Sequence, residues 1–143
     1  MTTQREQILT AVVTLLLGNT PAGSNVFRSR SEALARGELP AIVIKPGAED
    51  VDNTARGIAQ RSFEVQVQVF ARGTPADQIA DPVVLAAHVL LMTEQTLGGK
   101  MARLIEKGTA EPDFADGDDT AVMIQTTYVA RYATPAGDLT RQI

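Results

Sequence analysis

The sequence predicts a single α+β domain, residues 1–143, with a mixed or mostly antiparallel sheet flanked by two main helices. Several short segments alternate apolar and polar residues as strands do, and residues 62–71 show this most clearly. The alternation predicts a core face with Phe63, Val65, Val67 and Val69 and an opposite face with the polar residues Glu64, Gln66 and Gln68, which water or another subunit could meet. Two segments, beginning near residues 3 and 82, have apolar residues at helical spacing. A chain of 143 residues without internal repeats fits one domain with a sizeable core.

The first helix is predicted to start at Thr3, because Thr3 and Glu6 have the spacing of a capping box. Its apolar residues cover more than one stripe. The helix is therefore either deeply buried or packs on the sheet with one side and on a neighbour with the other. Gly18 and Asn19 are expected to end it.

The second helical region contains two prolines that both suggest a start. Residues 74–77 open a helical segment, and the Asp81-Pro82 pair is interpreted as a second start, since proline costs roughly 3 kcal/mol inside a helix and little at its first position. The main helix is then expected over residues 82–97. The Gly98-Gly99 pair would stop it.

Five segments are predicted as strands, with turns or helices between them: residues 26–30, 41–44, 62–71, 102–109 and 121–132. An Asp-Gly turn signal within residues 113–119 predicts a hairpin between the last two strands. Residues 46–61 are polar and contain proline and glycine, so we expect a long, mobile hairpin connection there. The tail, residues 134–143, has little to bury and should fray unless a partner holds it.

Composition excludes several classes of function. The net charge of −4 argues against a basic footprint for non-specific nucleic-acid binding. Without cysteine there is no disulfide, no thiolate nucleophile and no Cys-based zinc site. The first residues do not resemble a signal peptide, and the apolar runs at residues 10–18 and 83–92 are too short to span a bilayer. We expect a soluble protein with no membrane contact.

Residues suited to catalysis or metal binding are sparse. His88 is the only histidine, and its position in a helix favours a structural or solvent-facing role. The carboxylates of residues 113–119 lack the spacing of a calcium loop, and Gly98-Gly99-Lys100 follows a helix instead of preceding one. We expect no enzyme, no cofactor and no metal. A small metal-independent enzyme using Glu64 or Glu106 with a nearby Asp is the weakest alternative.

Three arginines in residues 25–44 raise a separate question. Arg28 and Arg30 fall on one face of the predicted strand 26–30, and a charged strand face is most often simply solvated. The alternative is that they pair with carboxylates of a neighbouring chain, since the planar guanidinium makes two parallel bonds to a carboxylate. Candidate carboxylates are Glu49, Asp50, Asp52 and Glu64.

The order of these segments resembles the tail terminator family of long-tailed bacteriophages, of the minor tail protein U type. The chain carries in sequence VFRSRSEAL, ELPAIVI, RSFEVQVQVFAR, PADQIAD leading to LGG, and YVARYATP. The most specific pieces are Arg30 with residues 38–40, the strand over residues 63–70, and the ending over residues 128–132. The resemblance covers nearly the whole chain and lies in the order and spacing of loose patterns.

The resemblance implies a structural protein of a phage or prophage. Such proteins form a hexameric ring that caps the tail tube, stops its polymerisation and provides the surface for the head-tail connector protein. DNA would pass through the ring without specific binding, and the protein would occur in the host cytoplasm during assembly and then in the virion tail. The residues that we carry over as candidates for subunit or tube contact are Arg28, Arg30, Glu49, Asp50, Asp52, Arg56, Arg61 and Glu64.

One alternative of a different class fits the same periodicity. A small α+β ligand-binding or regulatory module would need no ring, and residues 46–61 could be its binding lid. It predicts a monomer or dimer with a pocket.

Overall fold

The computed structural model describes residues 1–53, 55–115 and 118–143, with backbone alone at 118 and 119. These residues form two α-helices, a short 3-10 helix and a six-stranded sheet, which confirms the α+β prediction. The elements are α1 Gln4–Leu16, β1 Val26–Arg28, the 3-10 helix Arg36–Glu38, β2 Ala41–Asp52, β3 Ile58–Arg72, α2 Ala76–Thr93, β4 Arg103–Thr109, β5 Asp113–Ala115 and β6 Asp118–Pro135.

The sheet is mixed and has the strand order β1-β2-β3-β6-β4, with β5 also paired to β6. β1 runs parallel to β2, and the other pairs are antiparallel. The two longest strands, β3 and β6, stay in register from the Ile58–Pro135 pair to the Arg72–Ala121 pair. They form the centre on which the rest of the domain is built.

Both helices lie on the same face of the sheet. α1 contacts β1 and β2, α2 contacts β3, β6 and β4, and the two helices contact each other. Because side chains alternate along a strand, every second residue of β3 reaches this core. Phe63, Val65, Val67 and Val69 are all buried there, as the sequence predicted. Among the described residues neither α-helix covers the other face, called here the open face.

Of the two hydrogen bonds that the predicted capping box would make at the start of α1, only the one to Thr3 forms. The Thr3 hydroxyl accepts a hydrogen bond from the Glu6 amide at 3.1 Å. The Glu6 carboxylate instead binds Arg28 on β1, so that it fastens the helix to the sheet. The helix ends at Leu16, just before Gly18, whose φ of 76° glycine adopts readily.

The prediction of a second helix start at Pro82 is wrong. α2 is one continuous helix with Pro82 inside it, and it ends at Thr93 instead of Leu97. Pro82 removes the hydrogen bond to the Gln78 carbonyl, but both residues are exposed, so water can bind that carbonyl. Leu97 stays buried although it lies in the turn after the helix.

The predicted connection over residues 46–61 is also wrong. Residues 46–52 continue β2, residues 58–61 begin β3, and only residues 53–57 link them. The two strands pair out to Asp52 and Gln60, with a register shift between Pro46 and Glu49. The polar sequence pairs because β6 supports β3 from its other side along its whole length.

The tail is held by the chain itself, contrary to the expectation that it frays. The Gln4 amide donates to the Leu139 carbonyl at 2.6 Å, and the Ile143 amide donates to the Ala133 carbonyl at 2.9 Å. Thr134, at the start of the tail, is fully buried. β5 pairs with β6 as a hairpin would, but the predicted Asp-Gly turn at residues 116 and 117 lies outside the described residues.

Candidate functional site

Arg28 is paired within its own chain. Its two terminal nitrogens each donate to one oxygen of Glu6 at 2.8 Å. These hydrogen bonds lower the pKa of Glu6 and raise the pKa of Arg28. The carboxylate expected from a neighbouring chain is therefore supplied by α1, and the interface role of Arg28 remains a prediction.

Arg30 is also paired internally, and it lies beyond β1, because Ser29 has a φ of 51° and ends the strand. Arg28 and Arg30 thus do not share a strand face as predicted. The Arg30 guanidinium donates to Glu38 at 2.6 and 2.9 Å and lies 4.6 Å from the centre of the Phe27 ring. These contacts close residues 30–38 into a compact loop.

Arg61 belongs to a nearly buried polar cluster. Its Nη1 lies 3.4 Å from Glu49, its Nε donates to the Thr134 hydroxyl at 3.1 Å, and the Tyr132 hydroxyl donates to Glu49. The Arg61 and Glu49 side chains are only 11% and 14% exposed. Burial and the Glu49 carboxylate raise the pKa of Tyr132. The cluster joins β2, β3 and β6 near the hairpin that β2 and β3 form around residues 53–57.

The remaining candidates are spread over the hairpin and the open face. Glu64 pairs with Lys107, so this ion pair crosses β6 from β3 to β4 and raises the pKa of Lys107. Asp50, Asp52 and Arg56 are exposed. The eight predicted residues therefore do not meet in one site.

His88 lies at a small cavity of about 240 Å³ between α2, β4 and β6. Its Nδ1 is 2.9 Å from the Tyr128 hydroxyl and 4.0 Å from Glu106. Burial, followed by the Glu106 charge, raises the pKa of Tyr128 to about 12, which keeps the phenol neutral. Asp81 lines the same cavity. Among the described residues no three His, Asp or Glu side chains are placed to bind a metal ion.

The open face carries polar side chains, as the sequence predicted for β3, and also apolar side chains that it did not predict. Gln68 donates to Gln125 at 2.9 Å across β3 and β6. Further along, Ile105 of β4 stands opposite Val129 of β6, and both are half-buried. Next to them Arg103 stands opposite Arg131, and both are exposed. Sequence reasoning missed these two arginines, because strand register decides which residues are neighbours.

An open groove of about 570 Å³ lies at one end of this face. One wall is the loop that Arg30 and Glu38 close, and the other is β5. Leu34, Val43 and Phe114 contribute apolar lining.

The outward side of α2 is unusually apolar. Leu85 and Val89 are 61% and 53% exposed. By length and composition alone the 18-residue helix α2 could cross a membrane. The expectation that every apolar segment is too short to span a bilayer is therefore wrong for this helix. A helix of a soluble domain's core passes the same test, and the inner residues of α2 do pack in the core. This evidence for a membrane is therefore weak.

Scans of protein-family models and of curated proteins find no match. Among solved structures, the chain is similar to one from the virion of a native gene transfer agent particle, with 16% identity and a TM-score of 0.48. The match covers 92% of each chain.

Proposed function

We propose that this protein is a tail terminator of a phage or prophage. It would form a hexameric ring that caps the tail tube, stops its polymerisation and presents a surface to the head-tail connector. The proposal starts from the order of sequence segments that resembles this family. The structure is consistent with it, because those segments form one α+β domain of two layers.

The observation that carries the proposal is the open face of the sheet. A sheet is normally buried on both sides, or polar where it faces water. Here half-buried Ile105 and Val129 lie among charged residues, a mixture typical of the surfaces at which proteins meet. A ring built from identical copies needs two different complementary patches on each copy. The apolar outward side of α2 is a candidate for the second patch.

The candidate arginines take different places in this proposal. Arg28, Arg30 and Arg61 would act by holding the subunit's own shape, since each pairs with a carboxylate of the same chain. Asp50, Asp52 and Arg56 are exposed at the hairpin, and we propose them for contact with the tube.

The test has two parts. Light scattering over a concentration series, followed by negative-stain imaging, should show a ring with six times the 15.3 kDa mass of the chain. The purified protein should also shorten tubes formed by a tail tube protein of the same phage or prophage and should remain bound at their ends. A protein that forms no ring and leaves tube length unchanged would contradict the proposal.

The groove beside β5 supports one second candidate, a small ligand-binding module. Its volume of about 570 Å³ is within the usual range for small-molecule sites. Residues 46–61 cannot be the lid of this module in the way the sequence suggested, because most of them are paired strand. Native mass spectrometry of the protein purified from its host would test this candidate. A monomer carrying a stoichiometric small molecule would favour it.

A further inference from the structure

The outward side of α2 carries a short apolar stripe with an acidic end. Leu85 and Val89 are one helical turn apart, and Asp81 precedes Leu85 by one turn. All three side chains are exposed, whereas the opposite side of the helix is buried against the sheet. Asp81 and Leu85 lie toward β4, where they also line the open cavity at His88. A solvent-facing helix side is normally polar, and exposed large aliphatic residues on it indicate a contact surface.

The open face of the sheet carries a matching pattern with basic charge. Arg103 and Arg131 stand directly opposite each other on β4 and β6. Neither side chain makes an ion pair or hydrogen bond with any other described residue, and like charges at opposed positions are destabilising. Two residues along each strand, Ile105 stands opposite Val129 on the same face. The face therefore has an aliphatic pair beside a cationic pair that forms no ion pair with a described residue, and the nearest carboxylate in the same row is Asp50, across Ser62.

The two patterns have similar spacing. Asp81 and Leu85 are separated by about 6 Å along the helix surface. Arg131 and Val129 are separated by about 7 Å along the strand. A helix that places Leu85 on the Ile105–Val129 pair can therefore place the Asp81 carboxylate near both arginines.

We propose that the outward side of α2 in one copy packs on this part of the open face of the next copy. Leu85 and Val89 contact Ile105 and Val129, and the Asp81 carboxylate lies between Arg103 and Arg131 and offsets part of their charge. The two patches differ, so the contact is head-to-tail and can repeat around a closed ring. This inference rests on the proposed ring, and it names the surfaces that build it.

Cysteine cross-linking tests the contact directly, because the natural chain contains no cysteine. A variant with both Leu85→Cys and Val129→Cys should form, on mild oxidation, a ladder of covalent products up to six chains. Each single variant should stay uncross-linked, and a mixture of the two single variants should give a two-chain product. The control pair Leu17→Cys and Val129→Cys uses an exposed residue just beyond the end of α1 and should give no ladder.

Charge exchange tests the same contact without new covalent bonds. Asp81→Lys alone and the double variant Arg103→Glu/Arg131→Glu alone should each associate at least about tenfold more weakly than the natural protein. Mixing these two proteins should restore association, since each interface of an alternating ring then joins opposite charges. Glu94→Lys, the same charge change beyond the other end of α2, should have little effect.

The outcomes separate this inference from the proposed function. If the double cysteine variant forms the ladder but the protein never caps tubes, the contact is right and the terminator function is wrong. If rings cap tubes while neither cross-linking nor mixing behaves as expected, the ring uses other surfaces. A two-chain product from Leu85→Cys alone would show α2 packed on α2 and would overturn the inference. Monomers at every concentration, without any cross-link, would overturn it too.

Discussion

At the scale of single residues, three of the candidate arginines, Arg28, Arg30 and Arg61, pair with carboxylates of their own chain. Arg28 joins β1 to α1 through Glu6, and Arg61 joins the base of the hairpin to β6 through Thr134. Planar guanidinium groups suit this task, because one group can hold two acceptors in fixed directions. Such residues stabilise the shape of the domain.

The Arg28–Glu6 pair should make stability depend on pH. Replacing Glu6→Gln should lower the free energy of unfolding at neutral pH by about 0.5–1 kcal/mol, since the pair is partly exposed. The folded state lowers the pKa of Glu6, so this contribution is full above the ordinary value of 4.5 and is lost as pH falls through the lowered pKa. Urea unfolding at several pH values measures it.

The control for that experiment is Glu111→Gln, an exposed carboxylate for which the structure shows no ion pair with a described residue. A difference between natural protein and Glu6→Gln that persists unchanged in strong acid would show that the ion pair is not its source.

The two tyrosines should resist ionisation in the folded protein. Burial raises the pKa of Tyr128 to about 12 and moves that of Tyr132 in the same direction. The chain has no tryptophan and only these tyrosines, so ultraviolet absorbance of phenolate reports them alone. At pH 10.0, the ordinary pKa of tyrosine, little phenolate should form in the native protein. The tyrosines of the urea-unfolded chain should be half ionised at the same pH.

The sign of the linked stability follows from the same shift. The folded state favours the neutral phenol. The tyrosines therefore contribute fully to the free energy of unfolding below their pKa in the unfolded chain, and this contribution is lost as the pH rises from that pKa to the higher pKa of the folded protein. Glu49→Gln should bring the ionisation of Tyr132 to lower pH, because the Glu49 carboxylate is one cause of its raised pKa. If the tyrosines of the native protein were already half ionised at pH 10.0, this result would contradict the burial of both rings.

At the scale of elements, the irregular edge of β2 depends on a small residue. Gly47 lies within the register shift between Pro46 and Glu49. A Cβ at this position would lie 2.8 Å from the Glu64 Cβ, which is closer than side chains tolerate. Gly47→Ala should therefore cost roughly 1–3 kcal/mol of unfolding free energy, measured by urea unfolding.

The matched control is Gly37→Ala in the 3-10 helix, where an added Cβ meets nothing within 4 Å. Equal stability of the two variants would mean that the register shift relaxes without cost.

Substitution by Asp should unfold the chain on the core face of β3 and have little effect on its open face. Val67→Asp puts an unpaired charge into the core, where Val67 is 3% exposed. The loss should be a large fraction of the roughly 5–15 kcal/mol that stabilises a typical domain, so that circular dichroism shows a mostly unfolded chain. Gln66→Asp, on the open face, should leave the spectrum native-like. A folded Val67→Asp variant would show that the faces are assigned in reverse.

At the scale of the whole molecule, one continuous core connects both helices to the sheet. Leu9 and Val12 of α1, Phe63 and Val69 of β3, and Leu91 of α2 belong to the same buried cluster. Such a domain should unfold in one cooperative step. Far-ultraviolet circular dichroism and tyrosine fluorescence should therefore give the same urea midpoint. Two separated transitions would show that the α1 side and the α2 side are independent.

Much of the fold could be predicted from the sequence, because periodicity reports burial residue by residue. The alternation around Phe63 and Val67 assigned the central strand and its core face correctly. The helix through Pro82 and the strands over residues 46–61 could not be predicted in the same way. Proline and polar residues are unfavourable locally, and only the exposure of Pro82 and the support of β3 by β6 make them acceptable.

The sequence predicted which types of residue form the candidate site, but it did not predict which residues pair with each other. Sequence showed that Arg28 carries a charge suited to carboxylates, but the partner Glu6 lies 22 positions away, on another element. Arg103 and Arg131 become neighbours only through the register of β4 and β6.

By itself, the sequence determined the α+β class, the core face of β3, the start of α1 at Thr3 and the family resemblance on which the proposed function rests. These follow from local preferences and from the spacing of apolar residues. The tertiary structure alone decided which face of the sheet stays open, which charges are neutralised within the chain and which, like Arg103 and Arg131, are not. The physical reason is that pairing energy depends on distances between residues far apart in sequence, and only the folded chain sets those distances.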